Sequence, residues 1–118
     1  MLESVPLWDF LVAGAEHALA SKEDQARLTN ARMIDFGDVP SHVLIPDLVD
    51  RAFLQQTETG WEIEIQFNHT GRALGAPDAI GFSPTTGFRS EGDAIEAGVL
   101  VALAFVRNAQ SLSPGRYQ

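Results

Sequence analysis

The C-terminal stretch from Ser90 to Asn108 constrains the fold of this chain more than any other segment. From Ala94 to Val106 the only charged residue is Glu96, and only Gly98 interrupts a run of Ala, Val, Leu, Ile and Phe. A surface helix normally has one apolar face, whereas this one is apolar on nearly all sides. As a helix, the run would rise about 20 Å, which is shorter than the ~30 Å hydrocarbon core of a bilayer. We therefore expect a buried helix and no membrane span.

We expect a strand over residues 61–67 to pack against one side of this helix. Apolar residues alternate there with Glu62, Glu64 and Gln66, so one face is apolar and the other is polar. At about 100° per residue, the helix directs its small residues to one side, where they permit close approach to this strand. This side carries Ala94, Ala97, Gly98, Val101 and Phe105, of which the first three are small.

The other side of the helix needs a second cover. It carries Val99, Leu100, Leu103 and Val106. We expect either the N-terminal helix, through Trp8, Leu11 and Leu19, or a second copy of the chain to pack there. The second alternative predicts a homodimer through the C-terminal helix.

Periodicity and capping residues predict the remaining elements. Apolar residues recur at helical spacing over residues 5–20, and a second helix is expected from the Ser21 cap to about Met33. Pro46 favours the start of a third helix, which should end near Gln56. We expect loops at 35–46 and 68–77, short strands at 79–83 and 87–89, and a cap formed by Ser90, with Asp93 three residues on.

These elements predict a single α+β domain over residues 1–118. It has two or three N-terminal helices, a small antiparallel sheet of about three strands, and a long C-terminal helix packed on the sheet. A chain of 118 residues with 45% apolar residues is large enough to form such a core.

The charge balance limits the classes of partner. Sixteen acidic residues against eight basic ones give a net charge of −8. Phosphate backbones repel such a surface, so we expect no direct nucleic-acid binding and instead a protein partner that is itself basic. Cysteine is absent, which excludes disulfides and thiolate chemistry and is typical of a reducing compartment. The first 20 residues also lack the basic start of a signal peptide, so a cytoplasmic location is expected.

Four acidic residues are the candidates for contact with a partner. Glu62 and Glu64 lie about 7 Å apart on the polar face of the predicted strand. Asp35 and Asp38 lie in the 35–46 loop, where His42 would complete a set of metal ligands. Acidic residues in such loops are mostly turn-formers, so we predict no metal, no cofactor and no catalytic residue.

One segment resembles a known family. The run Gly87-Phe88-Arg89-Ser90-Glu91-Gly92-Asp93-Ala94-Ile95-Glu96-Ala97 resembles the strand-to-helix junction of HicB-like antitoxins, and the resemblance covers residues 61–106. It implies an acidic protein that neutralises a basic toxin. The chain departs from the family in its predicted N-terminal helices and in the long gap between Pro77 and Gly87.

These observations favour a non-catalytic acidic binding protein that inhibits or neutralises a partner, in the manner of immunity proteins, antitoxins or phage inhibitors. A second hypothesis is a small enzyme or ligand-binding domain with its site near the 35–46 and 68–77 loops. A third is a self-associating structural module.

Overall fold

The computed structural model describes residues 7–23, 26, 36–82 and 87–112. Within these residues the chain is an α+β domain, as the sequence predicts. Two 3₁₀ turns, Ser41–Val43 and Pro46–Leu48, precede the sheet. The helices and strands are α1 (Leu7–Ala20), β1 (Val49–Gln56), β2 (Trp61–Phe67), α2 (His69–Ala73), β3 (Ala79–Phe82) and α3 (Glu91–Leu112).

The three strands form an antiparallel sheet in the order β1-β2-β3, so β2 is central. A hairpin joins β1 to β2, and in its turn the Thr57 N–H donates to the Gly60 carbonyl at 2.6 Å. Ile65 of β2 lies opposite Ala52 on one side and Ile80 on the other. The predicted strand at 61–67 is confirmed, and the one at 79–83 is present as β3.

The predicted third helix from Pro46 to Gln56 is wrong. Pro46 begins a 3₁₀ turn of three residues, and the chain then continues as strand β1. In β1, Ala52 is buried while its neighbour Phe53 is 38% exposed, which is the alternation of a strand. The strand forms because β2, four residues away across the turn, supplies its backbone hydrogen-bond partners. This tertiary pairing outweighs the helical spacing of the apolar residues.

Two further expectations need correction. The segment 68–77 is not only a loop, because it contains the one-turn helix α2, which is capped by Asn68. Residues 87–89 form no full strand, although Phe88 makes an isolated bridge to Trp61. The predicted second helix is described only at Lys22, Glu23 and Ala26, which are helical; its other residues lie outside the described part.

Both long helices pack on one face of the sheet, as predicted for α3. Ile63, Ile65 and Phe67 of β2 are fully buried beneath them. The ring of Phe105 in α3 packs edge-on against Trp8 at 5.1 Å between centroids and lies 6.2 Å from Phe67. This aromatic group joins α1, α3 and the sheet in one core.

The other side of α3 is covered largely within the chain itself. Leu103 and Val106 are buried, at 1% and 8% exposure, while Val99 and Leu100 are half-buried. A Cβ atom added to Gly14 would lie 3.1 Å from Val99 Cγ2, so α1 approaches this side closely. A homodimer through α3 stays a prediction, and the apolar surface left for it is limited to the half-buried residues.

Side-chain hydrogen bonds tie the segment before β1 to the helices. The Asn108 amide of α3 donates to the carbonyls of Ser41 and Leu44, and the Trp8 indole N–H donates to the Pro46 carbonyl at 3.2 Å. Ser90 caps α3 as predicted, since its hydroxyl accepts from the Asp93 N–H at 3.1 Å. None of the helices within the described ranges has both the length and the apolar character that a membrane crossing requires.

Candidate interaction surface

The sheet has a second face, which α1 and α3 do not cover. Because side chains alternate along each strand, the residues between the buried ones point to this outer face. It carries Arg51, Phe53 and Gln55 from β1, Glu62, Glu64 and Gln66 from β2, and Ala79 and Gly81 from β3. We call this surface the outer face.

Glu64 lies at the centre of the outer face, opposite Phe53 of β1 and Gly81 of β3. Its Oε2 accepts a hydrogen bond from the Gln66 side-chain amide at 3.1 Å, and both residues are half-buried. Glu62 lies one pair along the sheet, opposite Gln55. Gly81 has no side chain to shield these carboxylates: even an added Cβ would lie 3.9 Å from Glu62 Oε2.

Among the described residues of the outer face, Arg51 is the one cation, and it does not neutralise the two glutamates. The Arg51 guanidinium carbon lies 5.8 Å from the centroid of the Phe53 ring, and Arg51 Nε is 3.1 Å from Asp50 Oδ2. Among the described residues, no Lys or Arg forms an ion pair with Glu62 or Glu64. The surface therefore combines two carboxylates with an exposed aromatic ring, which is chemistry that suits an arginine or lysine from another molecule.

The structure brings only part of the predicted acidic set together. Glu62 and Glu64 share the outer face, as predicted. Asp38 is exposed in the turn after Phe36, whose ring packs at 5.5 Å against Phe105 on the helix-covered side of the sheet. Asp38 therefore belongs to a different surface from the two glutamates, and Asp35 lies outside the described residues.

Phe53 and Arg51 belong to this surface but were missed by the sequence analysis, which assigned residues 46–56 to a helix. One signal could have found them. The strand at 61–67 is strongly alternating and follows a turn at Gly60, and a strand with one apolar face needs a neighbour. The segment before the turn is the nearest candidate for that neighbour.

The second hypothesis places an enzyme or ligand site near the 35–46 and 68–77 segments. These segments do meet: His42 Nε2 lies 3.1 Å from the Leu74 carbonyl, and the Asn68 amide donates to the Asp47 carbonyl at 2.7 Å. His42 and His69 are both exposed. Within the described ranges, no three His, Asp or Glu residues are grouped so that they could hold a metal ion, and no polar side chain is buried.

Comparisons with known proteins found no matching family model, no matching curated protein and no matching solved structure. The resemblance of residues 61–106 to HicB-like antitoxins is therefore supported only by the residues that carry it.

Proposed function

We propose that this chain is a non-catalytic acidic protein that binds a basic protein partner through the outer face and thereby inhibits it. The observation that carries the proposal is that Glu62 and Glu64, which form no ion pair within the described part of the chain, lie on one surface beside the exposed ring of Phe53. Antitoxin-like or immunity-like neutralisation, in the cytoplasm, is the form of inhibition that the resemblance favours.

Charge and shape support this proposal in different ways. A net charge of −8 accelerates the encounter with a basic partner, and this acceleration falls as salt increases. The half-buried positions of Glu62 and Glu64 limit their motion, so less side-chain entropy is lost when a cation binds. Phe53 supplies apolar area of the kind that forms the centre of many interfaces.

The partner should be sought with a photo-crosslinking residue on the outer face. We would place it at Gln55 in one variant and, as a matched control, at Ala13, which is exposed on α1. After irradiation in the native host, the Gln55 variant should crosslink a basic protein that the Ala13 variant does not. The affinity of the purified complex should then fall as salt is added, and the double variant Glu62→Lys/Glu64→Lys should not form the complex. Equal crosslinking from both positions, or binding unchanged by the charge reversal, would refute the outer face as the binding site.

A small-ligand site is the second candidate function, favoured by the meeting of the 35–46 and 68–77 segments at His42 and Leu74. Amide chemical-shift mapping against a metabolite library checks it. Shifts confined to residues 38–46 and 68–76, lost in His42→Ala, would support a ligand site there. Shifts scattered over the surface would count against it.

A further inference from the structure

An aromatic ring and a carboxylate lie side by side at the centre of the outer face. Among the described residues of this face, Phe53 is the one large apolar side chain, and it is 38% exposed. Glu64 lies directly opposite it on β2. Side chains in such a pair start from Cβ atoms only about 4.5–5.5 Å apart. A single cation can therefore contact the ring and the carboxylate at the same time.

A guanidinium of the chain itself already lies against this ring. The guanidinium carbon of Arg51 is 5.8 Å from the centroid of the Phe53 ring, within the range of a cation–π interaction. Its Nε also donates to Asp50 Oδ2 at 3.1 Å, but the side chains of Arg51 and Asp50 are 60% and 48% exposed. An ion pair as exposed as this one contributes little to stability. The ring thus accommodates a guanidinium, and Arg51 is held there only weakly.

Arginine and lysine differ in how they can use this place. A guanidinium is planar, so it can stack on a ring while its N–H groups donate within the plane to a neighbouring carboxylate. An ammonium is a compact and more strongly hydrated charge, which gains less from the ring. Because the Gln66 amide donates to Glu64 Oε2 at 3.1 Å, Oε1 is the carboxylate oxygen left for such a donor.

We propose that the outer face selects arginine over lysine on its partner, that Phe53 makes this selection, and that Arg51 occupies the ring until an arginine of the partner displaces it. The inference rests on the proposed function and names the residue type that the outer face takes from a basic protein. Charge favours the exchange, since the incoming cation meets a chain of net charge −8 and Arg51 can keep its pairing with Asp50 when it leaves the ring.

Two blocked glycine peptides with one central arginine or one central lysine test the selection, because they differ only in the cation. Chemical shifts of the full chain, followed by NMR at about 20 mM salt, where charges are little screened, give the binding site and the affinity together. The arginine peptide should shift the ring signals of Phe53 and the amide of Glu64. It should bind roughly 2- to 5-fold more tightly than the lysine peptide.

Substitutions at Phe53 separate the ring from simple charge attraction. Phe53→Leu keeps an apolar side chain but removes the aromatic face, so the two peptides should bind with equal affinity. Phe53→Tyr restores an aromatic face and should restore the preference for arginine. A preference that persists in Phe53→Leu would overturn the role of the ring.

The substitution Arg51→Gln tests whether Arg51 competes for the ring. Both peptides gain from the lost positive charge, but only the arginine peptide gains substantially from a vacated ring. Arg51→Gln should therefore raise the affinity for the arginine peptide more than the affinity for the lysine peptide. An equal increase for both would show that Arg51 acts through its charge alone and would overturn the proposed displacement.

The same titrations distinguish this inference from the proposed function on which it rests. Equal binding of the two peptides to the outer face of the unmodified chain would overturn the selection of arginine and leave the outer face as the binding surface. Shifts from neither peptide on the outer face would overturn the selection and count against the surface as well. The comparison in the unmodified chain decides the matter if a variant fails to fold.

Discussion

Gly98 of α3 lies directly over Ile63 of β2. A Cβ atom added to Gly98 would be 2.6 Å from Ile63 Cδ1 and 2.9 Å from Leu11 Cδ2. Both neighbouring side chains are fully buried, so relief of this contact requires repacking within the core. The absence of a side chain at this single position therefore sets how closely α1, α3 and the sheet approach one another.

Gly98→Ala should consequently lower the free energy of unfolding. Overpacking costs about 1–3 kcal/mol, and alanine recovers about 1 kcal/mol through its higher helix propensity. We expect a net loss of roughly 1 kcal/mol in denaturant titrations followed by circular dichroism. Gly92→Ala is the matched control in the same helix, because an added Cβ would meet only Ser90 Oγ, at 3.8 Å. If the two variants are equally stable, the close contact at Gly98 is wrong.

Phe105→Ala should be among the most destabilising substitutions in the chain. The Phe105 ring is fully buried and packs against the rings of Trp8, Phe36 and Phe67. Removing it should cost about 3–5 kcal/mol, and the variant should show a lower thermal midpoint or fail to fold. Phe10→Ala makes the same chemical change at a side chain that is 42% exposed, and should cost far less. A similar loss for both variants would contradict the position of Phe105 in the core.

Asn68 links the end of β2 to the 3₁₀ turn before β1. Its Oδ1 accepts from the Gly71 N–H at 2.8 Å, and its Nδ2 donates to the Asp47 carbonyl at 2.7 Å. Asn68→Ala removes both bonds and should cost about 1–2 kcal/mol. Asn68→Ser keeps an oxygen that can cap α2 but cannot replace the donation to Asp47, so its stability should be intermediate in thermal melts. Wild-type stability in Asn68→Ala would show that neither bond contributes.

Alanine substitutions at Gly87 and Gly37 distinguish the stability cost of a strained backbone conformation from the cost of crowding. Both have positive φ, 83° and 62°, where an L-residue other than glycine is strained. A Cβ at Gly87 would also lie 3.0 Å from Gly60 Cα, in the backbone beside Trp61, whereas nothing lies within 4 Å at Gly37. Gly37→Ala should cost about 1 kcal/mol and Gly87→Ala clearly more, measured by urea unfolding. The reverse order would contradict the packing of residue 87 against the hairpin turn.

Whether an element depends on nearby or on distant residues explains which parts of the fold the sequence predicts. The alternation of β2 and the Ser90 cap of α3 can be predicted from the sequence, because each depends on residues close in the chain. Strand β1 cannot be predicted from residues close in the chain. Its apolar residues fit a helix equally well, and only the backbone groups of β2 across the turn make the extended form better.

The outer face likewise contains residues that the sequence alone can place and residues that it cannot. Glu62 and Glu64 could be placed on one face from the period of a single strand. Phe53 could not, because its place beside Glu64 requires the β1–β2 pairing. Asp38 was grouped with the glutamates on charge alone, which carries no information about distance.

The sequence by itself determined that the apolar run from Ala94 to Val106 is too apolar to remain exposed and too short to cross a membrane, because hydrophobicity and length are properties of the segment alone. Only the tertiary structure decided what covers it. The sheet takes the small-residue side, where Gly98 permits contact with Ile63, and α1 approaches Val99 through Gly14. That choice depends on close packing between residues that are 35 positions apart for Gly98 and Ile63 and 85 positions apart for Gly14 and Val99, which no local pattern encodes.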